Sequence, residues 1–315
     1  MNELPVVLSA VLPVLLIAVS GVAMRKLNWL SEEADHSLLR VTINLLVPAF
    51  IFDKVLNNPA LHRTENLFFP PLVGFSTVAL GIGVGWLAMR LAGLKPDSSG
   101  RTFAFSTGLY NYGYVPLPLA MHLFDRETVG VLIVHNLGTE MAFWLLGTAV
   151  FAPAAKEPFW KQIFNPPLVA IVLTLSLNLT GGAAHVPEFV KYTAHMLGAC
   201  AIPMGLVLVG AMIADHLNEF HSEQGWRVMG ASCALRLGVI PVLFLLLAKF
   251  LPCSIELKRV ILLQAAMPTA IFAIIGARHF GGDEPTALRV VIATSALSFV
   301  TIPLWIRMGM KWLGL

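Results

Sequence analysis

The sequence predicts an all-α integral membrane protein: ten transmembrane helices as two inverted five-helix repeats, with breaks in helices 4 and 9. Three observations carry that reading. First, 57% of the 315 residues are hydrophobic and 12% are Asp, Glu, Lys or Arg, where a soluble domain has about 25% charged residues; mean hydropathy is +0.77. Second, the chain divides at its charged and Pro/Gly/Asn-rich points into ten apolar stretches, each near the roughly 20 residues that a spanning helix needs. Third, features of the first half recur in the second at a nearly constant offset.

The same composition excludes other classes. A net charge of +3, with no basic run beyond two adjacent residues, leaves nothing to neutralise a nucleic acid backbone. The apolar content excludes intrinsic disorder. Cys200, Cys233 and Cys253 are scattered and form no CxxC pair, so they imply neither a disulfide framework nor a zinc site and read as small buried thiols.

The first stretch, 4–24, has no basic residue ahead of its apolar run, and Arg25 and Lys26 follow it. This reads as an uncleaved first helix rather than a signal peptide. The others lie near 37–56, 67–91, 102–124, 128–152, 165–182, 192–214, 227–250, 257–279 and 286–310. A short connection, 153–164, separates the first repeat (1–152) from the second (165–315) and is too short for a soluble domain.

Lys/Arg placement sets the orientation. In the first half, loops 1–2, 3–4 and 5–6 hold Arg25, Lys26, Arg40, Arg90, Lys95, Arg101, Lys156 and Lys161, against Lys54, Arg63 and Arg126 on the other side. That bias puts the connection 153–164 in the cytoplasm and both termini outside, in the cell membrane. The second half runs the other way, with Arg227, Arg278 and Arg289 inside against Lys191, Lys249, Lys258, Arg259, Arg307 and Lys311 outside. Internal repetition outweighs this. Pro48 in segment two and Pro203 in segment seven lie 155 residues apart; Asn111 and Pro268, and likewise His122 and His279, lie 157 apart. An odd number of helices per repeat inverts one copy relative to the other.

Segment four carries Tyr110-Asn111-Tyr112-Gly113-Tyr114-Val115-Pro116-Leu117-Pro118 at mid-bilayer. Pro116 and Pro118 remove amide donors and free the carbonyls of Tyr112 and Tyr114, and Gly113 adds backbone freedom. Pro268 in segment nine frees the carbonyl of Gln264. Irregular backbone at this depth persists only where protein buries it or a wet cavity meets it. Half-helix N-termini brought together there favour an anion, and freed carbonyls favour a cation; the alternative is a pair of packing kinks.

Glu140 in segment five and Arg236 in segment eight each cost roughly 2.5–3.5 kcal/mol at a helix centre. They serve function or pair with each other. Asn136 (one turn before Glu140), Gln264 (one turn before Pro268) and Asn44 (one turn before Pro48) are polar liners or interhelical hydrogen-bond glue. Asn178-Leu179-Thr180 matches a glycosylation sequon but lies within a span, and His216-Leu-Asn-Glu-Phe-His221 reads as a solvated loop rather than a metal site. There is no P-loop, GxSxG or HExxH motif, and no resident metal or cofactor is expected.

The run Asn111–Pro118 resembles the N-x-G-x-x-G-x-P motif in the fourth helix of the auxin efflux carrier family. Ala265-Ala-Met-Pro268-Thr269-Ala, followed by Ala277-Arg-His-Phe-Gly281, resembles that family's ninth helix. Asn165-Pro-Pro, Leu235-Arg-Leu ahead of Pro241, and Ile302-Pro-Leu-Trp-Ile are also similar to family features, so the likeness runs the length of the chain. One departure is Pro116, where the motif has its second glycine; the plant members' long central loop is also absent. The resemblance implies a non-enzymatic secondary transporter with a bile-acid/sodium symporter-like fold. Helices 1, 2, 6 and 7 would form a scaffold, often dimeric, and helices 3–5 and 8–10 a moving unit with crossed helices 4 and 9. The implied substrates are small organic anions, bound near Asn111, Tyr112, Gly113, Pro116, Gln264, Pro268, Thr269 and Arg236, with Asn44, Asn136 and Glu140 as coupling or lining residues. Sodium coupling, proton coupling and passive flux stay open, as do a sodium-coupled bile-acid-type symporter and, outside the carriers, a channel or a receptor.

Overall fold

The computed structural model describes residues 3–151, 165–215 and 223–315. The connection 153–164 and the His216–His221 run both lie outside them. Among the described residues the chain is helical, with one isolated antiparallel bridge and no strand.

The helices are α1 (Glu3–Lys26), α2 (Glu32–Val41, a π turn Thr42–Leu46, then Val47–Val55), α3 (Glu65–Ala88), α4 (Ser98–Gly108), α5 (Pro116–Leu123) and α6 (Arg126–Phe151). Then come α7 (Pro166–Leu179), α8 (Glu188–Asp215), α9 (Glu223–Ala234, a π turn Leu235–Val239, then Ile240–Phe250), α10 (Ile255–Ala266), α11 (Phe272–Phe280) and α12 (Glu284–Leu313). Six of these helices, α1, α3, α6, α8, α9 and α12, are long and apolar enough to cross a membrane.

Local chemistry explains many of the ends. Side chains of Ser31, Asp97, Asn165, Ser254 and Asp283 each accept from a backbone amide in the first turn of the helix that follows, which satisfies donors with no partner inside the helix. The two π turns sit just ahead of Pro48 and Pro241. A proline cannot bond the carbonyl four residues back and crowds it, so the backbone widens. The carbonyl freed by Pro241, that of Leu237, accepts the indole N–H of Trp305 at 2.7 Å.

The helices pack in two groups. In the smaller, α1 lies on α8, and α2 lies on both α7 and α8. In the larger, α3 packs on α4 and α6, α9 on α12, and α10 on α6, α9 and α12. Glycines let backbones touch inside each group: Gly21 against Val207, Gly210 against Ala18 and Gly198 against Phe50 in the smaller, Gly74 against His135 and Gly138 against Pro71 in the larger. The groups meet chiefly where α1 lies on α12 and α5.

Connections gather at two opposite ends. At one, Arg25 pairs with Asp35 and with Asp215, and the Asp283 amide bonds Thr102. At the other, Asn178 holds the end of α2 through the Val55 carbonyl and the Asn57 amide, both at 2.8 Å, and Arg63 reaches Glu256. Asn178 is buried, so the apparent sequon is a helix clamp. Cys200 is exposed, contrary to the expectation of buried thiols, because it lies on the outer face of α8.

Candidate functional site

Helix α4 stops at Gly108 and α5 starts at Pro116; α10 stops at Ala266 and α11 starts at Phe272. The two unwound stretches run antiparallel and pair. The Asn111 amide donates to the Pro268 carbonyl at 2.7 Å, the Ala270 amide donates to the Leu109 carbonyl at 2.9 Å, and Tyr110 faces Thr269. Each stretch thus satisfies backbone groups of the other, which irregular chain away from water requires.

The prolines act differently from interior kinks. Unwinding begins at Leu109, seven residues ahead of Pro116, where Gly108 packs on Gly81 and Ile82. Pro116 stands at the first position of α5, where its fixed φ suits a helix start. Pro268 keeps Met267 extended, at φ −75° and ψ 143°, as the residue before a proline prefers. Two of the three carbonyls singled out from sequence receive side-chain donors: that of Tyr112 accepts from Asn136 Nδ2 at 2.7 Å, and that of Gln264 from Arg236 Nη2 at 2.8 Å.

Around the crossing, Asn111 is buried and its Oδ1 accepts from the amides of Gly113 and Val115, at 3.3 and 3.4 Å, ahead of α5. Gly113 borders open space. Tyr112 donates its hydroxyl to Glu140 Oε2 at 2.6 Å, and Trp144 Nε1 donates to Glu140 Oε1 at 3.0 Å. Gln264 Nε2 reaches Asn136 Oδ1 at 3.5 Å, and the Thr269 amide bonds Thr294. Asn44 stands apart. It is exposed in the π turn of α2, and its side chain has no hydrogen bond among the described residues.

Arg236 is fully buried beside the crossing. Its Nε donates to the Met267 carbonyl at 2.9 Å, and its Nη2 donates to those of Gln264 and, at 3.4 Å, Ala265. The guanidinium carbon lies 5.3 Å from the ring centres of both Tyr110 and Phe244, within cation–π reach. A cation at this helix C-terminus also meets the negative end of the α10 dipole. Arg236 and Glu140 form no ion pair. Each has other partners, which corrects the pairing considered from sequence.

Several buried polar atoms near the crossing lack a hydrogen-bond partner among the described residues: Arg236 Nη1, Gln264 Oε1, Thr269 Oγ1, Thr107 Oγ1 and both ring nitrogens of His135. Sequence reasoning missed Tyr110, whose hydroxyl meets Thr77 at 2.8 Å and Thr139 at 3.1 Å, because those partners come from other helices. It also missed Trp144, which its spacing of four from Glu140 would have signalled.

Unwound backbone paired at the meeting point of helices and ringed by polar side chains is a device that membrane transporters use. Comparison with known proteins agrees. The family model described as membrane transport protein matches the chain twice, over residues 6–158 and 154–306. The chain is 26% identical over 301 residues to an uncharacterized transporter of Methanothermobacter thermautotrophicus, covering 94% of this chain and 96% of the relative. It is 23% identical over 304 residues to one of Methanocaldococcus jannaschii, covering 95% and 97%. The chain belongs to this auxin efflux carrier-like family of membrane transport proteins, and it is a multi-pass membrane protein.

Proposed function

We propose that the chain is a secondary carrier of small organic anions, with carboxylates as the substrate class and the site at the crossing of α4–α5 with α10–α11. The observation that carries this reading is Arg236. It is a fully buried guanidinium whose hydrogen bonds all go to neutral carbonyls, with Nη1 unpartnered among the described residues. A buried charge without a counter-ion is costly, and a carboxylate arriving beside it supplies one. Asn111 Nδ2, which has no hydrogen bond among the described residues, is the second donor. Tyr112, Gly113, Pro116, Gln264, Pro268 and Thr269 shape the site, and Glu140 with Asn136 holds Tyr112.

On this reading each broken pair, α4–α5 and α10–α11, makes one crossing. With α2 and α7 counted as spans, ten crossings form two inverted repeats. The double family match and the sorting of connections to two ends support that count. The smaller helix group is the scaffold, α7 carries an exposed apolar face of Val169, Val172 and Leu173 suited to a second copy, and the larger group moves against it. Both termini lie outside the cell membrane.

Flux of radiolabelled mono- and dicarboxylates into proteoliposomes tests the reading, with sodium and proton gradients imposed in turn to identify any coupling ion. Saturable uptake that a second carboxylate competes away supports a carrier. Absence of flux for every carboxylate, with other solutes passing, refutes the anion assignment. Non-saturable flux points to a channel.

A further inference from the structure

We propose that Tyr114, seated in a notch at Gly205, is the positioning residue that ties the unwound stretch of the site to the scaffold and holds the larger helix group in its present position. This rests on the carrier reading above. The argument starts from how the glycines are used. Within each helix group, Gly21, Gly74, Gly138, Gly198 and Gly210 let backbone meet backbone, contacts that cannot slide without unlocking a helix pair. Gly205 differs: a Cβ there would overlap the ring of Tyr114, a side chain from the other group.

Tyr114 lies between Asn111 and the start of α5 at Pro116. Its ring is half-buried and packs against the apolar core, and Asn111 Oδ1 caps the amides on either side of it, those of Gly113 and Val115. Helix α8 is otherwise packed against α1 and α2 of its own group. A ring can leave a notch by a rotamer change, whereas the backbone contacts inside each group persist, so this contact across the groups can release without unlocking a helix pair. Anything bound at Asn111 pulls on the loop that carries the ring.

The test uses the full chain with Cys200, Cys233 and Cys253 replaced by serine and a reporter cysteine at Gly113, which borders open space. Its labelling by a water-soluble maleimide is measured in proteoliposomes. Gly205→Ala, whose methyl fills the notch and expels the ring, and Tyr114→Ala, which removes the ring, should each change the labelling rate in the same direction by about fivefold or more, the lower end of typical conformational coupling. The double variant should add little to either. Unchanged rates, opposite directions or simple additivity would overturn the proposal, and Tyr114→Ala alone decides if Gly205→Ala does not fold. In a second arm, a disulfide between Tyr114→Cys and Gly205→Cys should stop uptake of radiolabelled malonate, with dithiothreitol restoring it. Uptake that continues with the disulfide closed overturns the lock while leaving the carrier reading intact. Labelling shifts without uptake of any carboxylate sink the carrier reading and leave the contact standing.

Discussion

Replacing Arg236 separates the two jobs that the proposed reading gives to one guanidinium. Its two shorter hydrogen bonds, 2.9 Å to Met267 and 2.8 Å to Gln264, are charge-assisted and together represent roughly 3–6 kcal/mol before desolvation is counted. Releasing the buried cation returns part of that. Each buried carbonyl left without its donor still costs about 1–3 kcal/mol, because it remains dry. Arg236→Lys keeps the charge but presents a single ammonium on a shorter stem, so it cannot bridge both carbonyls. Thermal unfolding in detergent, with and without saturating carboxylate, should therefore show both Arg236→Lys and Arg236→Gln melting well below wild type. Stabilisation by the carboxylate should survive in Arg236→Lys and vanish in Arg236→Gln. If Arg236→Lys melts like wild type, the carbonyl clamp contributes nothing. If Arg236→Gln keeps full carboxylate stabilisation, the buried charge does not serve the anion.

Asn111→Asp keeps an oxygen for the Gly113 and Val115 amides but swaps the donor for a negative charge, so stability should hold while carboxylate affinity falls at least ten- to a hundredfold, the equivalent of about 1.5–3 kcal/mol; equilibrium binding at constant pH reads it. The Tyr112–Glu140 bond at 2.6 Å predicts that Tyr112→Phe and Glu140→Gln are non-additive in a melting cycle, with a coupling of about 1 kcal/mol or more; strict additivity would show that the bond is idle. Burial works to raise the Asp125 carboxyl, but the Thr128 hydroxyl and amide and the Arg259 guanidinium outweigh it and hold the group below its ordinary 3.8. Stability from Asp125 is therefore complete above the ordinary value and lost as pH falls through the lowered one. Wild type should lose more stability than Asp125→Asn when acidified below about pH 4.

Much of the helical character was legible because the signals are local: apolar run length, and prolines whose consequences reach only four residues back. The carbonyls of Tyr112 and Gln264 could be named from sequence for that reason. What received them could not. Asn136 and Arg236 lie 24 and 28 residues away from the carbonyls they bond, on other helices, and no periodicity encodes which rotamer reaches across. The point where α4 ends was not legible for a related cause. The proline rule places the break near Tyr112, yet the backbone leaves the helix at Leu109, because Asn111 and Leu109 exchange hydrogen bonds with Pro268 and Ala270. The donors and acceptors that compensate for unwinding belong to the other half of the chain. Arg236 and Glu140, both expensive inside a bilayer, were correctly marked as needing partners, but charge alone does not say whether the partner is an ion, a carbonyl or a ring.

The departure at Pro116 changes how an anion would be held. An unwound helix ordinarily offers an anion its first-turn amides. Here Pro116 and Pro118 occupy the first and third positions of α5 and have no N–H to give, Leu117 donates to Gly113, and Asn111 Oδ1 already satisfies Gly113 and Val115. The first-half break is thus sealed by proline and asparagine. The second-half break is held by a guanidinium on the three carbonyls at the end of α10. By the 157-residue offset, the position matching Arg236 in the first half is Ala79, so the positive charge belongs to one repeat alone. On the proposed reading the two halves divide the work: the first supplies the rigid cap and the Asn111 amide, and the second supplies the charge. On that reading, an anion at this crossing would be bound by side chains from both halves more than by helix dipoles, so single-residue changes at Asn111 and Arg236, rather than changes in helix length, are the informative perturbations.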